Sequence, residues 1–176
     1  MKIFITGGAR SGKSRYSQKL AESMTDFPLL IATAYPTDEE MKRRIEMHKK
    51  DRNENWETIE EPLDISLSIK NIDKNKHHVV VIDCLTVWLS NLFLFYNEDI
   101  EKIRSKTDEF IKTAKDLTFD FIMISNEVGM GIVPENRLAR SFRDELGFFN
   151  QKLASISDEV ILIIAGIPLI IKGRKG

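Results

Sequence analysis

The tightest constraint on how this chain can fold lies at its start. The β-type run Lys2-Ile3-Phe4-Ile5-Thr6 passes directly into Gly7-Gly8-Ala9-Arg10-Ser11-Gly12-Lys13-Ser14, the Gly-x-x-x-x-Gly-Lys-Ser spacing of a phosphate-binding loop, or P-loop. Each residue type answers a chemical need. Glycines let the backbone close around a polyphosphate with successive N–H groups turned inward as an anion nest. A helix starting near Gly12 adds its positive dipole end. Lys13 is spaced to reach the β- and γ-phosphates, and the Ser14 hydroxyl to ligate Mg²⁺. The alternative, a glycine turn with an incidental Lys-Ser pair, does not call for strand, loop and helix in this order.

The next elements say what kind of sheet the loop belongs to. Residues 14–24 read as the helix after the loop, and residues 27–33 as a second strand with Pro28 at its start. Strand, helix, strand at this spacing is a βαβ unit, which implies a parallel sheet and a right-handed crossover. Ligands of such sheets lie beyond the carboxyl ends of the strands, so Thr33 and Ala34 fall on the same rim as the loop. Further on, Val79-Val80-Val81-Ile82-Asp83 is a buried-strand run ending in an acid. A carboxylate there, beside a P-loop, is placed to hold Mg²⁺ directly or through water. The expected fold is α/β and P-loop NTPase-like (RecA-like): a mostly parallel sheet with helices on both faces.

At 176 residues, with 42% hydrophobic and 30% charged, the chain fits a single domain spanning 1–176 with a sizeable core. Its 26 basic and 27 acidic residues leave a net charge of −1, so no global field recruits nucleic acid or an anionic membrane. No apolar run approaches the roughly 20 residues of a membrane span. Strand pattern from Lys2 onward leaves no room for a signal peptide. A single cysteine, Cys84, rules out an intrachain disulfide and a cysteine-based zinc site. The expected compartment is the cytoplasm.

Between strands two and three lies a basic stretch. Thr37-Asp38-Glu39-Glu40 is a capping box that opens a helix over residues 37–50. Met41, Ile45 and His48 share one face of that helix, and Lys42, Arg43, Arg44, Lys49, Lys50 and Arg52 flank it. By position alone His48 fits two roles. It is a half-buried helix histidine packed beside two apolar residues, or a neutral imidazole whose cationic neighbours favour the unprotonated, nucleophilic form near a phosphate. Residues 56–60 alternate like a short strand, residues 63–69 suggest a short helix, and His77 and His78 read as solvated residues at a strand entrance.

The rest of the chain continues the alternation of elements. Residues 86–95 are very apolar, as suits a core-facing or interface helix. Residues 97–117 form a charged amphipathic helix, 119–125 a buried strand, and 128–134 a loop with two glycines. A long helix from Glu135 carries Leu138, Phe142, Leu146, Phe149, Leu153 and Ile156 at helical spacing. Arg137, Arg140 and Arg143 lie off that stripe, either as a solvated face or as guanidiniums for phosphate. Two further strands, 158–165 and 167–172, precede a basic tail.

The chain resembles, over nearly its whole length, the bifunctional adenosylcobinamide kinase/adenosylcobinamide-phosphate guanylyltransferases of cobalamin biosynthesis. The residues that carry the resemblance are Thr6 to Ser14, Arg44-Ile45-x-x-His48-x-x-x-Arg52 with Trp56-x-Thr58-x-Glu60, and Asn126-Glu127-Val128-Gly129-Met130-Gly131-Ile132-Val133-Pro134-Glu135-Asn136-Arg137. Asn53 departs from the pattern, since relatives often carry proline there. The resemblance implies that His48 attacks the α-phosphate of GTP to give a GMP-histidine intermediate, with pyrophosphate leaving. It implies nucleotide contacts at Gly7, Gly8, Ala9, Arg10, Ser11, Gly12, Lys13 and Ser14, at Ala32, Thr33 and Ala34, at Lys49, Lys50, Asp51 and Arg52, at Glu60 and at Asp83. Ser14 and Asp83 are the expected Mg²⁺ ligands, with ATP and GTP as substrates. The partners implied are adenosylcobinamide, its phosphate, and two further copies of the chain in a homotrimer, with residues 86–95 in part of that contact.

Both implied activities suit the residues. Lys13 and Mg²⁺ would stabilise charge on the γ-phosphoryl group as a hydroxyl attacks it. A histidine nucleophile divides GMP transfer into two displacements. Two other readings stay open on the residues alone: a single-activity P-loop small-molecule kinase, in which His48 is dispensable, and a nucleotide-dependent binding switch.

Overall fold

The structure is a computed structural model that describes residues 1–35 and 54–173. The expected helix over 37–50, with its capping box and His48, lies outside the described residues, as do Lys49, Lys50, Asp51, Arg52 and Asn53. Among the described residues seven strands form one sheet: β1 (Lys2–Thr6), β2 (Leu29–Ala32), β3 (Glu57–Glu60), β4 (Val79–Asp83), β5 (Asp120–Ile124), β6 (Glu159–Ile164) and β7 (Ile167–Lys172). Their order is β3-β2-β4-β5-β1-β6-β7. β1 to β6 run parallel and β7 turns back antiparallel on β6. The strand that ends in Asp83 is thus separated from the P-loop strand by β5 alone.

Strand side chains alternate between two cores. On one face Phe4, Ile31, Val80, Ile82, Phe121 and Met123 pack against four helices, α2 (Ile65–Lys70), α3 (Leu85–Phe95), α4 (Ile100–Lys115) and α5 (Arg137–Ile156). On the other, Ile3, Ile5, Val81, Ile122, Ile124 and Ile161 meet Ala21, Tyr16, Leu20 and Met24 of α1 (Lys13–Met24). Burial on both faces is what the unbroken apolar runs Ile3–Ile5 of β1 and Val79–Ile82 of β4 require. Trp88 centres the larger core, its ring 5.5 Å from Phe110 and 5.7 Å from Phe149.

Several expected boundaries move for visible reasons. The helix expected over 97–117 starts at Ile100, because Asn97 and Glu98 take positive φ and the Asp99 carboxylate accepts the Lys102 N–H at 3.2 Å as its cap. The long helix starts at Arg137, where Asn136 Oδ1 accepts from Leu138 N–H at 2.7 Å. The apolar 86–95 segment lies in the core, with Leu94 and Phe95 left exposed. His77 departs from expectation: it is buried, with Nε2 3.3 Å from Glu57 Oε2 and Nδ1 3.5 Å from the Phe27 carbonyl. Both partners are distant in sequence, so the polar run around it gives no sign of the cover. His78 is exposed, as expected.

Candidate nucleotide site

Because six strands are parallel, their carboxyl ends share one rim, and the site is assembled there. The P-loop leaves β1 at Thr6 and enters α1 through Gly12, which takes φ +99 as the helix N-cap. The first helical turn leaves its N–H groups without intrahelical acceptors, directed at whatever lies over the loop. Tyr16 N–H already bonds back to the Gly12 carbonyl at 3.0 Å, so the amides freed for an anion are those just ahead of it.

The loop is braced from both sides. Glu127 N–H, just past β5, donates to the Gly7 carbonyl at 3.0 Å. Gly166 N–H, in the β6–β7 turn, donates to the Ser11 carbonyl at 2.8 Å. Contacts this close dictate glycine. A Cβ on Gly7 would collide with the Ile163 carbonyl oxygen, and one on Gly12 would sit 3.3 Å from Gly166 Cα. Gly8, by contrast, has open space where a Cβ would be.

Lys13 is the central cation. Its side chain is buried, and its ammonium donates to the carbonyls of Gly7 at 2.9 Å and Gly8 at 2.7 Å. Ser11 Oγ lies 3.4 Å away. Burial pushes the Lys13 pKa below its ordinary value, while the negative Asp83 carboxylate pulls it back up. Asp83 therefore acts on the loop electrostatically from the end of β4. Burial also pushes the Cys84 thiol up to about 12, with Asp83 adding to the effect.

Among the described residues, the other expected ones fall along the rim. Ala32 is in register with both Glu60 on β3 and Asp83 on β4, so these three form one row across adjacent strands. Thr33 is fully buried; its hydroxyl donates to the Cys84 carbonyl at 2.8 Å and accepts from the Cys84 N–H at 3.0 Å. Ala34 and Tyr35 follow Thr33 at the end of this described stretch. Of the three arginines, Arg140 donates to the carbonyls of Pro134 and Glu135, and Arg143 to the Asp144 carboxylate at 3.1 Å.

Other rim residues, Asn91, Thr86 and Ser125 among them, carry no individual signal in the sequence, whereas Glu127 belongs to the motif that carries the resemblance. Asn91 Nδ2 donates to the Thr33 carbonyl at 2.8 Å, fixing the end of β2. Thr86 Oγ1 accepts from Asn126 N–H at 2.7 Å and lies 3.1 Å from Ser125 Oγ, tying the ends of β4 and β5. The Glu127 carboxylate accepts from Gly129 N–H at 2.7 Å and Met130 N–H at 3.1 Å, folding the following loop back on itself. Among the described residues no cluster of three His, Cys, Asp or Glu side chains is arranged for a metal, and no helix is long and apolar enough to cross a membrane.

A parallel sheet with a braced P-loop on β1 and an acid one strand beyond its neighbour defines the P-loop NTPase fold. Solved structures of that kind align with it. One, an ATPase domain, covers 99% of this chain and 78% of its own at TM-score 0.57 and 15% identity. An ATPase from the type III secretion system of pathogenic bacteria covers 92% and 50% at TM-score 0.53 and 16% identity. Within that fold the chain belongs to the CobU family, cobinamide kinase / cobinamide phosphate guanyltransferase, whose model matches residues 3–171. It is 39% identical to the bifunctional adenosylcobalamin biosynthesis protein CobU of Escherichia coli, over 98% of this chain and 100% of that protein. It is 40% identical to the CobU of Salmonella typhimurium, with the same coverage, and 36% identical to the CobP of Pseudomonas aeruginosa, over 99% of each.

Proposed function

We propose that this chain phosphorylates adenosylcobinamide with ATP or GTP, then transfers GMP from GTP to the product, giving adenosyl-GDP-cobinamide and pyrophosphate. The observation that carries the reading is the Lys13 ammonium on the carbonyls of Gly7 and Gly8, inside a loop braced by Glu127 and Gly166, in a chain of the CobU family. Phosphate oxygens would take over those carbonyl contacts, and Lys13 would then follow charge onto the bridging oxygen as the β–γ bond breaks. The new bond joins the cobinamide hydroxyl oxygen to the γ-phosphorus; the nucleoside diphosphate leaves, and the hydroxyl proton is lost.

Ser14 and Asp83 offer a hydroxyl and a carboxylate, the hard oxygen donors that suit Mg²⁺, with phosphate and water oxygens to complete the set. Bound there, Mg²⁺ neutralises charge on the phosphates. In the second reaction His48 attacks the α-phosphorus of GTP, pyrophosphate leaves, and the cobinamide phosphate displaces the histidine. Lys49, Lys50, Asp51 and Arg52 lie beside it in sequence, and Ala32, Thr33, Ala34 and Glu60 complete the nucleotide contacts. Residues 1–176 act as one unit in the cytoplasm, as a homotrimer with no nucleic-acid partner. Leu94 and Phe95, with the apolar side chains of the β6–β7 hairpin (Ile164, Ile167, Leu169 and Ile171), are exposed and suit the contact between copies.

Product analysis tests the reading. With ATP, adenosylcobinamide should become its phosphate, and added GTP should then release one pyrophosphate per corrinoid. Phosphorylation without pyrophosphate release would leave a single-activity kinase, and neither product would refute the assignment.

A further inference from the structure

The loop after β5 stands out at the rim. Residues 128–133 are all exposed, and they include four large apolar side chains: Val128 at 36%, Met130 at 82%, Ile132 at 97% and Val133 at 58% of full exposure. The loop is tied down despite that exposure. Glu127 holds the N–H groups of Gly129 and Met130, and a Cβ on Gly129 would lie 3.0 Å from Glu127 Oε1. At the far end Arg140 holds the carbonyls of Pro134 and Glu135, and Asn136 caps α5. Gly131, between the apolar residues, has nothing within 4 Å of where a Cβ would stand, which leaves the backbone open to close approach. Water gains nothing from apolar side chains fixed in this way, so the arrangement fits an apolar ligand.

The loop is also continuous with the phosphate site. Glu127, whose carboxylate shapes it, donates its own N–H to Gly7 of the P-loop. Ligands of a parallel sheet lie beyond the carboxyl ends of its strands, so a phosphoryl acceptor approaches the γ-phosphate at this same rim. We propose that residues 128–133 are the docking platform for the macrocycle of the corrinoid acceptor, with Met130, Ile132 and Val133 against its apolar face and edge. The proposal rests on the kinase reading above and adds the acceptor's location to it. The corrinoid is the occupant chosen, over a second copy of the chain, because the loop is built from the same Glu127 that braces the P-loop.

The test is a double variant, Met130→Ser with Ile132→Ser, measured for nucleotide affinity, kinase KM and kcat, and sedimentation. Both side chains are exposed, so the fold and ATP affinity should match the parent chain. KM for adenosylcobinamide should rise about tenfold or more, from the lost apolar contact, with a smaller change in kcat. Unchanged KM overturns the platform while leaving the kinase reading intact. A changed oligomeric state, with KM restored at high protein concentration, also overturns it and assigns the loop to contact between copies. A parent chain with no kinase activity refutes the underlying reading instead.

Discussion

Lys13 sits where two demands conflict. Burial disfavours its charge, and the phosphate chemistry requires it. Its lowered pKa means the native chain sheds this proton more readily than the unfolded one, so native stability rises as pH climbs from the folded value toward 10.5. A bound triphosphate favours the ammonium. Nucleotide affinity should therefore fall as pH rises through the folded Lys13 value, on the acid side of 10.5, and Lys13→Arg should remove that alkaline loss because guanidinium stays charged. Fluorescent-nucleotide titrations across pH check this, and identical pH profiles for the two proteins would contradict it. Asp83→Asn keeps the shape of the β4 end but removes its charge, so both activities should fall and the Mg²⁺ requirement should rise; an unchanged Mg²⁺ titration would reduce Asp83 to a strand-end residue. Cys84, held at about 12, should resist thiol reagents at mildly alkaline pH until the protein unfolds, which a colorimetric thiol assay reads directly.

At the scale of elements, the strand–loop–helix start is legible because its residue types and spacing are dictated by phosphate chemistry, and Asp83 because a β-branched run ends in an acid. The order of the strands is not. β5 and β6 come late in the chain, yet they flank β1, and nothing local encodes that pairing. The contacts that brace the P-loop are hidden for the same reason: Gly166 meets Ser11 only after the β6–β7 turn closes. His77 reads as solvated in the sequence because Glu57 and Phe27, which cover it, belong to distant segments. Gly7→Ala tests the bracing, since its Cβ would collide with the Ile163 carbonyl oxygen. That variant should fold yet lose nucleotide binding by roughly tenfold or more, and near-normal affinity would show that the close packing is dispensable. Trp88→Ala should cost about 3–5 kcal/mol by opening a cavity among Phe110 and Phe149. Denaturant unfolding measures this, and a loss under about 1 kcal/mol would mean that the helical layer repacks.

Over the whole molecule, the proposed function has one rim serve two chemistries. The described residues supply the P-loop, the Asp83 row and the platform after β5, while the nucleophile assigned from the family pattern lies in the segment between Tyr35 and Glu54. The role proposed for it comes from the family motif and cannot be read from periodicity, because a histidine at that spacing also suits simple packing. The two activities should therefore separate by mutation. Intact mass after incubation with GTP and Mg²⁺ tests this most directly. The chain should gain one GMP, as an acid-labile and base-stable phosphoramidate, and His48→Ala should gain none while still phosphorylating adenosylcobinamide. Absence of the adduct on the parent chain, or its persistence in a folded His48→Ala protein, would contradict the account.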